Sequence, residues 1–129
     1  MHAATKLSTD FLNFLDNNSL IGIKGGNDGH DFLDIWMVRI GDRIFARSWN
    51  KSDRSWFTAF LETGVGQIKF GDSIIDVKGE KLAPDAPIQV QINRAYLNKY
   101  SQPHNLPYAA GIVASEYVHY TMEFIFTEH

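Results

Sequence analysis

Residues 44–57, with the sequence IFARSWNKSDRSWF, carry the side chains best suited to binding chemistry in this chain. Three are basic, Arg47, Lys51 and Arg54, and the serines Ser48 and Ser52 lie among them. A guanidinium binds an anion such as a phosphate through two parallel hydrogen bonds, and a hydroxyl adds a further donor. The stretch therefore suits either an anion site or a solvated strand end that leads into a helix cap.

The pattern of apolar residues predicts that this stretch is a strand followed by a helix. In residues 43–49, Phe45, Arg47 and Trp49 share one face of the strand, and the residues between them share the other. From residue 56 the apolar positions follow a helical period, with Ser52 as the expected N-cap and Gly64 as the stop. Arg47 should thus leave the barrel beside two aromatic side chains.

The rest of the chain predicts five more strands and two more helices. The strands are expected at residues 19–25, 32–40, 66–70, 73–82 and 117–126. The helices are expected near residues 8–17 and 87–100, and residues 101–113 are expected to form a surface connection. Because successive strands form hairpins, we expect a mainly β fold: a partly open antiparallel barrel of six strands with about three peripheral helices.

Composition limits the class of protein. A length of 129 residues predicts one domain spanning residues 1–129. The net charge of −3 argues against nucleic acid as a partner. The chain has no cysteine, no secretory signal pattern at its start and no apolar run long enough for a membrane span, so we expect a cytoplasmic protein without a membrane partner.

Other candidate motifs are weak. The loop KGGNDGHD at residues 24–31 lacks the spacing of a nucleotide fingerprint. No metal site is expected, because recognisable ligand spacing is missing among His30, His104, His119, Asp31 and Asp34. No serine has the flanking glycines of a nucleophile elbow, and no acidic pair stands out as acid and base. Tyr100 and Tyr108 are core residues or line a pocket near the proline-containing connection.

The element order and a set of short residue groups resemble the flavin-binding split-barrel proteins, the pyridoxamine 5'-phosphate oxidase-like superfamily. The groups that carry the resemblance are Trp36, Val38, Gly41, Arg47, Ser48, Trp56 and Phe57. Within the superfamily, the chain is most similar to a group of small uncharacterised bacterial proteins and to deazaflavin-dependent nitroreductases. The resemblance extends from residue 8 to residue 127.

The resemblance implies a six-stranded split barrel, usually a homodimer, that holds flavin mononucleotide (FMN) or a deazaflavin relative in a cleft between subunits. The residues that it assigns to the cofactor phosphate are Arg47, Ser48, Lys51 and Ser52, with Arg54 nearby. The residues that shape the cleft are Trp36, Trp49 and Trp56. FMN-binding members usually add basic residues from the second hairpin, where this chain has Lys69 and Lys78.

Two functions are compatible with this resemblance. The first is a small-substrate oxidoreductase, in which the cofactor carries the hydride chemistry and the protein binds and shields it. The second is a non-catalytic dimeric binding module that keeps the fold without a bound flavin, with the tryptophans serving as core or interface residues.

Overall fold

The computed structural model describes residues 6–26, 32–49 and 56–126. The elements in these ranges are α1 Lys6–Asn17, β1 Ile21–Gly25, β2 Leu33–Ile35, β3 Val38–Ile40, β4 Arg43–Arg47, α2 Trp56–Thr63, β5 Val65–Phe70, β6 Ser73–Lys81, α3 Gln89–Lys99, α4 Leu106–Ile112, α5 Ser115–Val118 and β7 Thr121–Phe126. The strands form one sheet in the order β2-β1-β5-β6-β7-β4-β3. Every neighbouring pair is antiparallel, so the predicted fold class is confirmed. None of the helices in these ranges is long and apolar enough to cross a membrane.

The single strand predicted for residues 32–40 is wrong, because the segment breaks at Trp36 and Met37. β2 pairs with β1 and β3 pairs with β4, so the two halves are the opposite edge strands of the sheet. These edges meet where the chain passes from one to the other, which closes the sheet into a split barrel. Side chains at the C-terminal end of α3 satisfy the backbone at the break: the hydroxyl of the cap residue Tyr100 accepts from the Met37 N–H at 3.1 Å, and Lys99 Nζ donates to the Met37 carbonyl at 2.8 Å. The sheet therefore has seven strands in the described ranges rather than six.

Alternation along β4 separates two cores. Ile44 and Ala46 are buried in the main core inside the barrel. Phe45 is buried in a second core, which lies between the outer face of β3 and β4 and the helices α3 and α4. Arg47 shares the outer face with Phe45 and also lies against these helices.

Helix α2 packs on the sheet through contacts between Phe60 and two glycines. A Cβ atom added at Gly79 would lie 2.3 Å from Phe60 Cδ1, and one at Gly66 would lie 2.4 Å from Phe60 Cζ. Because any side chain at these positions would overlap the ring, only glycine allows the helix to come this close. Gly64 ends the helix as predicted, with a φ of 75° and its N–H donating to the Phe60 carbonyl at 2.7 Å.

Both predicted hairpin turns are present. Gly41 and Gly71 have φ angles of 63° and 59°, whereas no described residue other than glycine has a positive φ. A positive φ at only the first turn position is the pattern of a type II′ turn, whose twist matches that of the flanking strands.

The second core explains why the predicted surface connection at residues 101–113 is wrong. The segment forms α4, and Pro107 lies in its first turn, where a missing N–H costs no helical hydrogen bond. Ala109 and Ile112 of α4 are buried against α3. The helix predicted at residues 87–100 corresponds to α3. Together with α5, this raises the number of helices from about three to five in the described ranges.

Candidate functional site

A half-open cleft of about 410 Å³ lies beside the edge strand β2 and the break that follows it. This volume falls in the range of small-molecule pockets. Its walls come from the residue before β1, from β2 and the break after it, from the end of β4 and the two residues that follow, and from α2 and α4. The lining residues are Leu20, Leu33, Asp34, Ile35, Trp36, Arg47, Ser48, Trp49, Trp56 and Tyr108.

All three tryptophans of the chain line this cleft. Trp36, at the strand break, stacks on the ring of Tyr100 with centroids 3.9 Å apart and planes 8° apart. Trp49 follows β4 and meets the ring of Tyr117 edge-on at 4.9 Å, with 44% of its surface exposed. Trp56 begins α2 and is buried at the barrel end of the cleft. Three separate segments thus place an indole against one volume.

Arg47 is almost fully buried beside the cleft, and its guanidinium donates away from it into the helical layer. Nε donates to Thr121 Oγ1 at 3.0 Å, and Nη2 donates to Gln89 Oε1 at 2.7 Å. Nη1 donates to Asn93 Oδ1 at 2.6 Å and to the Ile112 carbonyl at 3.2 Å. The side chain therefore ties β4 to α3, α4 and β7.

Within the described residues, every hydrogen-bond partner of Arg47 is neutral, so these ranges provide no counterion for its charge. The ion pairs within the described ranges are Arg39 with Asp16 at 3.0 Å and Arg43 with Glu123 at 2.9 Å. Burial lowers the pKa of Arg47, yet a guanidinium remains a cation at any physiological pH. A buried cation without a counterion is costly, and an anion bound nearby would offset that cost.

Two tyrosines one helical turn apart, one in α3 and one at its C-terminal cap, hold the backbone on both sides of the cleft. The Tyr96 hydroxyl accepts from the Arg47 N–H at 2.8 Å, and burial raises the pKa of Tyr96 to about 12. The Tyr100 hydroxyl donates to the Ser19 carbonyl at 2.7 Å, and burial likewise raises the pKa of Tyr100. Both phenols are therefore neutral hydrogen-bonding groups, and they act as structural clamps.

The structure brings together five of the eight residues that the resemblance assigned to the cofactor: Trp36, Arg47, Ser48, Trp49 and Trp56. The other three, Lys51, Ser52 and Arg54, lie outside the described residues. Ser48 is buried, and its N–H donates to the Tyr120 carbonyl at 3.1 Å.

Other sequence candidates are also placed. Tyr108 lines the cleft, whereas Tyr100 lies behind Trp36. Lys69 and Lys78 are exposed on their strands, next to residues that face the core, and neither lines the cleft. Within the described ranges, no group of three or more metal-ligating side chains could hold a metal ion.

Gln89 and Asn93 of α3, which accept hydrogen bonds from the Arg47 guanidinium, were missed by the sequence reasoning. Gln89, Asn93 and Tyr96 follow one another at four and three residues, which places them on one side of a helix. The signal available in the sequence was that Gln89 and Asn93 lie on the same side of the helix as the apolar residue Ile92. Polar side chains on such a side are buried only where they find a hydrogen-bond partner.

Comparison with known proteins adds the family and the fold. No curated protein matches the chain. Among solved structures, it is similar to a crystal structure from Listeria innocua described as a "putative pyridoxamine 5'-phosphate oxidase", with a TM-score of 0.57 and 11% sequence identity over 95% of this chain and 93% of that one. At this identity the likeness shows the split-barrel fold alone, and the predicted likeness to deazaflavin-dependent nitroreductases stays a prediction.

The family assignment rests on the sequence of most of the chain. The model of a family described as "Uncharacterized protein conserved in bacteria" (DUF2255) matches residues 23–124, which include every lining residue of the cleft except Leu20. The predicted similarity to a group of small bacterial proteins is thereby confirmed, and the chain belongs to this bacterial family.

Proposed function

We propose that the cleft binds a flavin-type cofactor, FMN or a deazaflavin relative, and that the protein is a small-substrate oxidoreductase. The observation that carries the proposal is the convergence of all three tryptophans on one cleft of ligand size, beside the buried charge of Arg47. Aromatic walls favour a planar ring system, and the unbalanced cation favours a ligand that bears an anion.

The cleft fits the two parts of such a cofactor differently. The indoles of Trp36 and Trp49 and the apolar side chains of β2 suit the ring system. The hydrogen bonds of Arg47 are directed to helices, so its contribution to a phosphate is the attraction of its charge rather than a bidentate contact. Direct donors to the phosphate would come from Ser48 and from the predicted anchors Lys51 and Ser52.

A bound flavin would itself supply the hydride chemistry. The residues of this chain would hold the ring, orient it and exclude water from one side. The other side of the cleft is rimmed by exposed apolar side chains: Leu20 (49%), Leu33 (57%) and Tyr108 (61%). Exposed apolar side chains around a pocket favour a covering partner, and a second copy of the chain is the proposed one.

A second candidate function is a non-catalytic dimeric binding module without a flavin. It is favoured by the hydrogen bonds of Arg47, because they connect β4 to α4 and β7 and so give the residue a structural role without any ligand.

The proposal is tested by titrating the purified protein with FMN and, separately, with riboflavin, which has the same ring and no phosphate. Because every tryptophan lines the cleft, a bound ring should quench most of the intrinsic fluorescence. We expect both ligands to quench, and we expect FMN to bind about tenfold more tightly at low salt, which corresponds to about 1.4 kcal/mol of charge attraction.

Matched variants locate the binding event. Trp49→Leu should weaken both ligands, whereas Leu97→Ala should change neither, because Leu97 is 40% exposed on α3 and does not line the cleft. Absence of quenching by FMN, riboflavin and their deazaflavin counterparts would refute the flavin proposal. Equal affinities for FMN and riboflavin would refute the proposed role of the Arg47 charge, but they would leave the binding of the flavin ring unaffected. A dimer by light scattering that binds none of the four ligands would support the second candidate.

A further inference from the structure

Gly111 is the penultimate residue of α4, a helical position that does not require glycine for its backbone. The glycines with positive φ are Gly26, Gly41, Gly64 and Gly71 among the described residues, so the conformation of Gly111 is open to alanine. Glycine at a helical position weakens the helix relative to alanine. A reason for glycine here must therefore be sought in what the residue contacts.

The indole of Trp49 occupies the space that a side chain at position 111 would need. A Cβ atom added at Gly111 would lie 3.0 Å from Trp49 Cη2 and 3.3 Å from Cζ3, closer than a Cβ normally packs. With an alanine at this position, the indole would have to move by a few tenths of an ångström. The six-membered ring of Trp49 thus rests directly on the backbone of α4.

The contact with Gly111 limits how closely the Trp49 indole can approach α4. The indole and the ring of Tyr117 form a T-shaped contact at 4.9 Å, and the exposed part of Trp49 faces the cleft and solvent. The adjacent residue of α4, Ile112, accepts the hydrogen bond from Arg47 Nη1 at 3.2 Å. One turn of α4 therefore holds both the charged and the aromatic residue at the end of β4.

We infer that Gly111 is a positioning residue, which sets the distance of the Trp49 indole from the opposite wall of the cleft and so controls how well the cleft accepts a planar ring. The inference rests on the proposed function for the effect on ligand binding. The position of the indole itself does not depend on any ligand.

The test combines fluorine NMR with FMN titration. Protein labelled with 5-fluorotryptophan should give three signals, because the chain has three tryptophans. Gly111→Ala should shift the signal of Trp49 and leave those of Trp36 and Trp56. The same variant should weaken FMN about threefold to tenfold, as expected for coupling between residues in contact.

A second background shows whether Gly111 acts through Trp49. Trp49→Phe keeps an aromatic ring but lacks the Cη2 and Cζ3 atoms that contact Gly111, so adding Gly111→Ala to it should change FMN affinity by less than about twofold. Ala110→Ser, at an exposed neighbour in α4, is the control and should alter neither the signals nor the affinity.

The outcomes separate this inference from the proposed function. Equal losses of affinity in both backgrounds would overturn the inference, as would an unmoved Trp49 signal or a moved signal with unchanged FMN affinity. If the parent protein binds no flavin, the proposed function fails by itself. The Trp49 signal in Gly111→Ala then decides the inference: a selective shift supports it and no shift overturns it.

Discussion

Replacing Arg47 by methionine tests whether the buried guanidinium holds the helical layer on the barrel. Methionine keeps an apolar stem of similar course and removes the hydrogen bonds to Thr121, Asn93, Gln89 and the Ile112 carbonyl. Each hydrogen bond from a charged donor contributes about 1.5–3 kcal/mol, but these contributions do not add. Removing the cation also removes the cost of burying it.

The net effect depends on which partners are left without a hydrogen bond. Gln89 keeps a bond from its Nε2 to the Ala83 carbonyl at 3.1 Å, and Thr121 keeps one to the Val118 carbonyl at 2.9 Å. The Ile112 carbonyl and the Asn93 side chain lose the bond that Arg47 gave them. We therefore expect Arg47→Met to lower the free energy of unfolding by about 2–4 kcal/mol.

Denaturation in urea measures the free energy of unfolding. The dependence of this free energy on urea concentration should be the same in the variants and the parent protein, which shows that they unfold in the same transition. Arg43→Met is the matched control, because Arg43 lies on the same strand and face but is exposed and pairs with Glu123 at 2.9 Å. An exposed pair contributes about 0–1 kcal/mol, so the control should stay close to the parent protein. If the two variants lose the same stability to within about 0.5 kcal/mol, the guanidinium is not a structural hub and the reasoning fails.

Four further variants test other parts of the structure by the same unfolding assay. Gly79→Ala should destabilise the protein by about 2–4 kcal/mol, because the added methyl group overlaps the Phe60 ring. Gly41→Ala should cost only about 1–2 kcal/mol of backbone strain, because the space around Gly41 is open. A larger loss for Gly41→Ala than for Gly79→Ala would contradict the packing of α2. Tyr100→Phe should cost about 1–2 kcal/mol by removing the hydroxyl at the strand break, and no loss would exclude that clamp. Burial lowers the pKa of Lys99 from 10.5 to about 8, so the unfolded chain binds more protons between these values and stability should rise with pH in that window; Lys99→Met should remove this rise, and an unchanged pH profile would refute it.

Local patterns predicted much of the sheet, because strand alternation and turn residues are properties of neighbouring positions. The two Gly-Asp turns and the two faces of β4 follow from spacing alone. The break at Trp36 could not be predicted in this way. Residues 32–40 are apolar enough for one continuous strand, and the groups that satisfy the broken backbone lie on α3, about sixty residues further along the chain.

The helix α4 shows a second limit of local reasoning. Pro103, Pro107 and Gly111 are typical of a surface loop when taken one by one. In the structure, Pro107 is in the first turn of a helix and Gly111 lies under an indole, so both are compatible with the helix for reasons of position and packing. A glycine therefore needs its spatial neighbours before it can be interpreted.

The role of Arg47 shows why residue type and strand face do not settle the chemistry of a site. Arg47 was predicted to lie on the outer face of its strand, and a guanidinium in that position suits a phosphate contact. The helices α3 and α4, however, lie on that face and present the acceptors Gln89, Asn93 and Ile112 to the guanidinium. The hydrogen bonds are thereby used inside the protein while the charge remains, because neutral acceptors do not cancel it. An anionic ligand in the cleft would therefore be attracted by the charge of Arg47 and hydrogen-bonded by other donors. Its affinity should depend on salt concentration, because the attraction acts over a distance. The tryptophans, rather than Arg47, should set the orientation of the ligand.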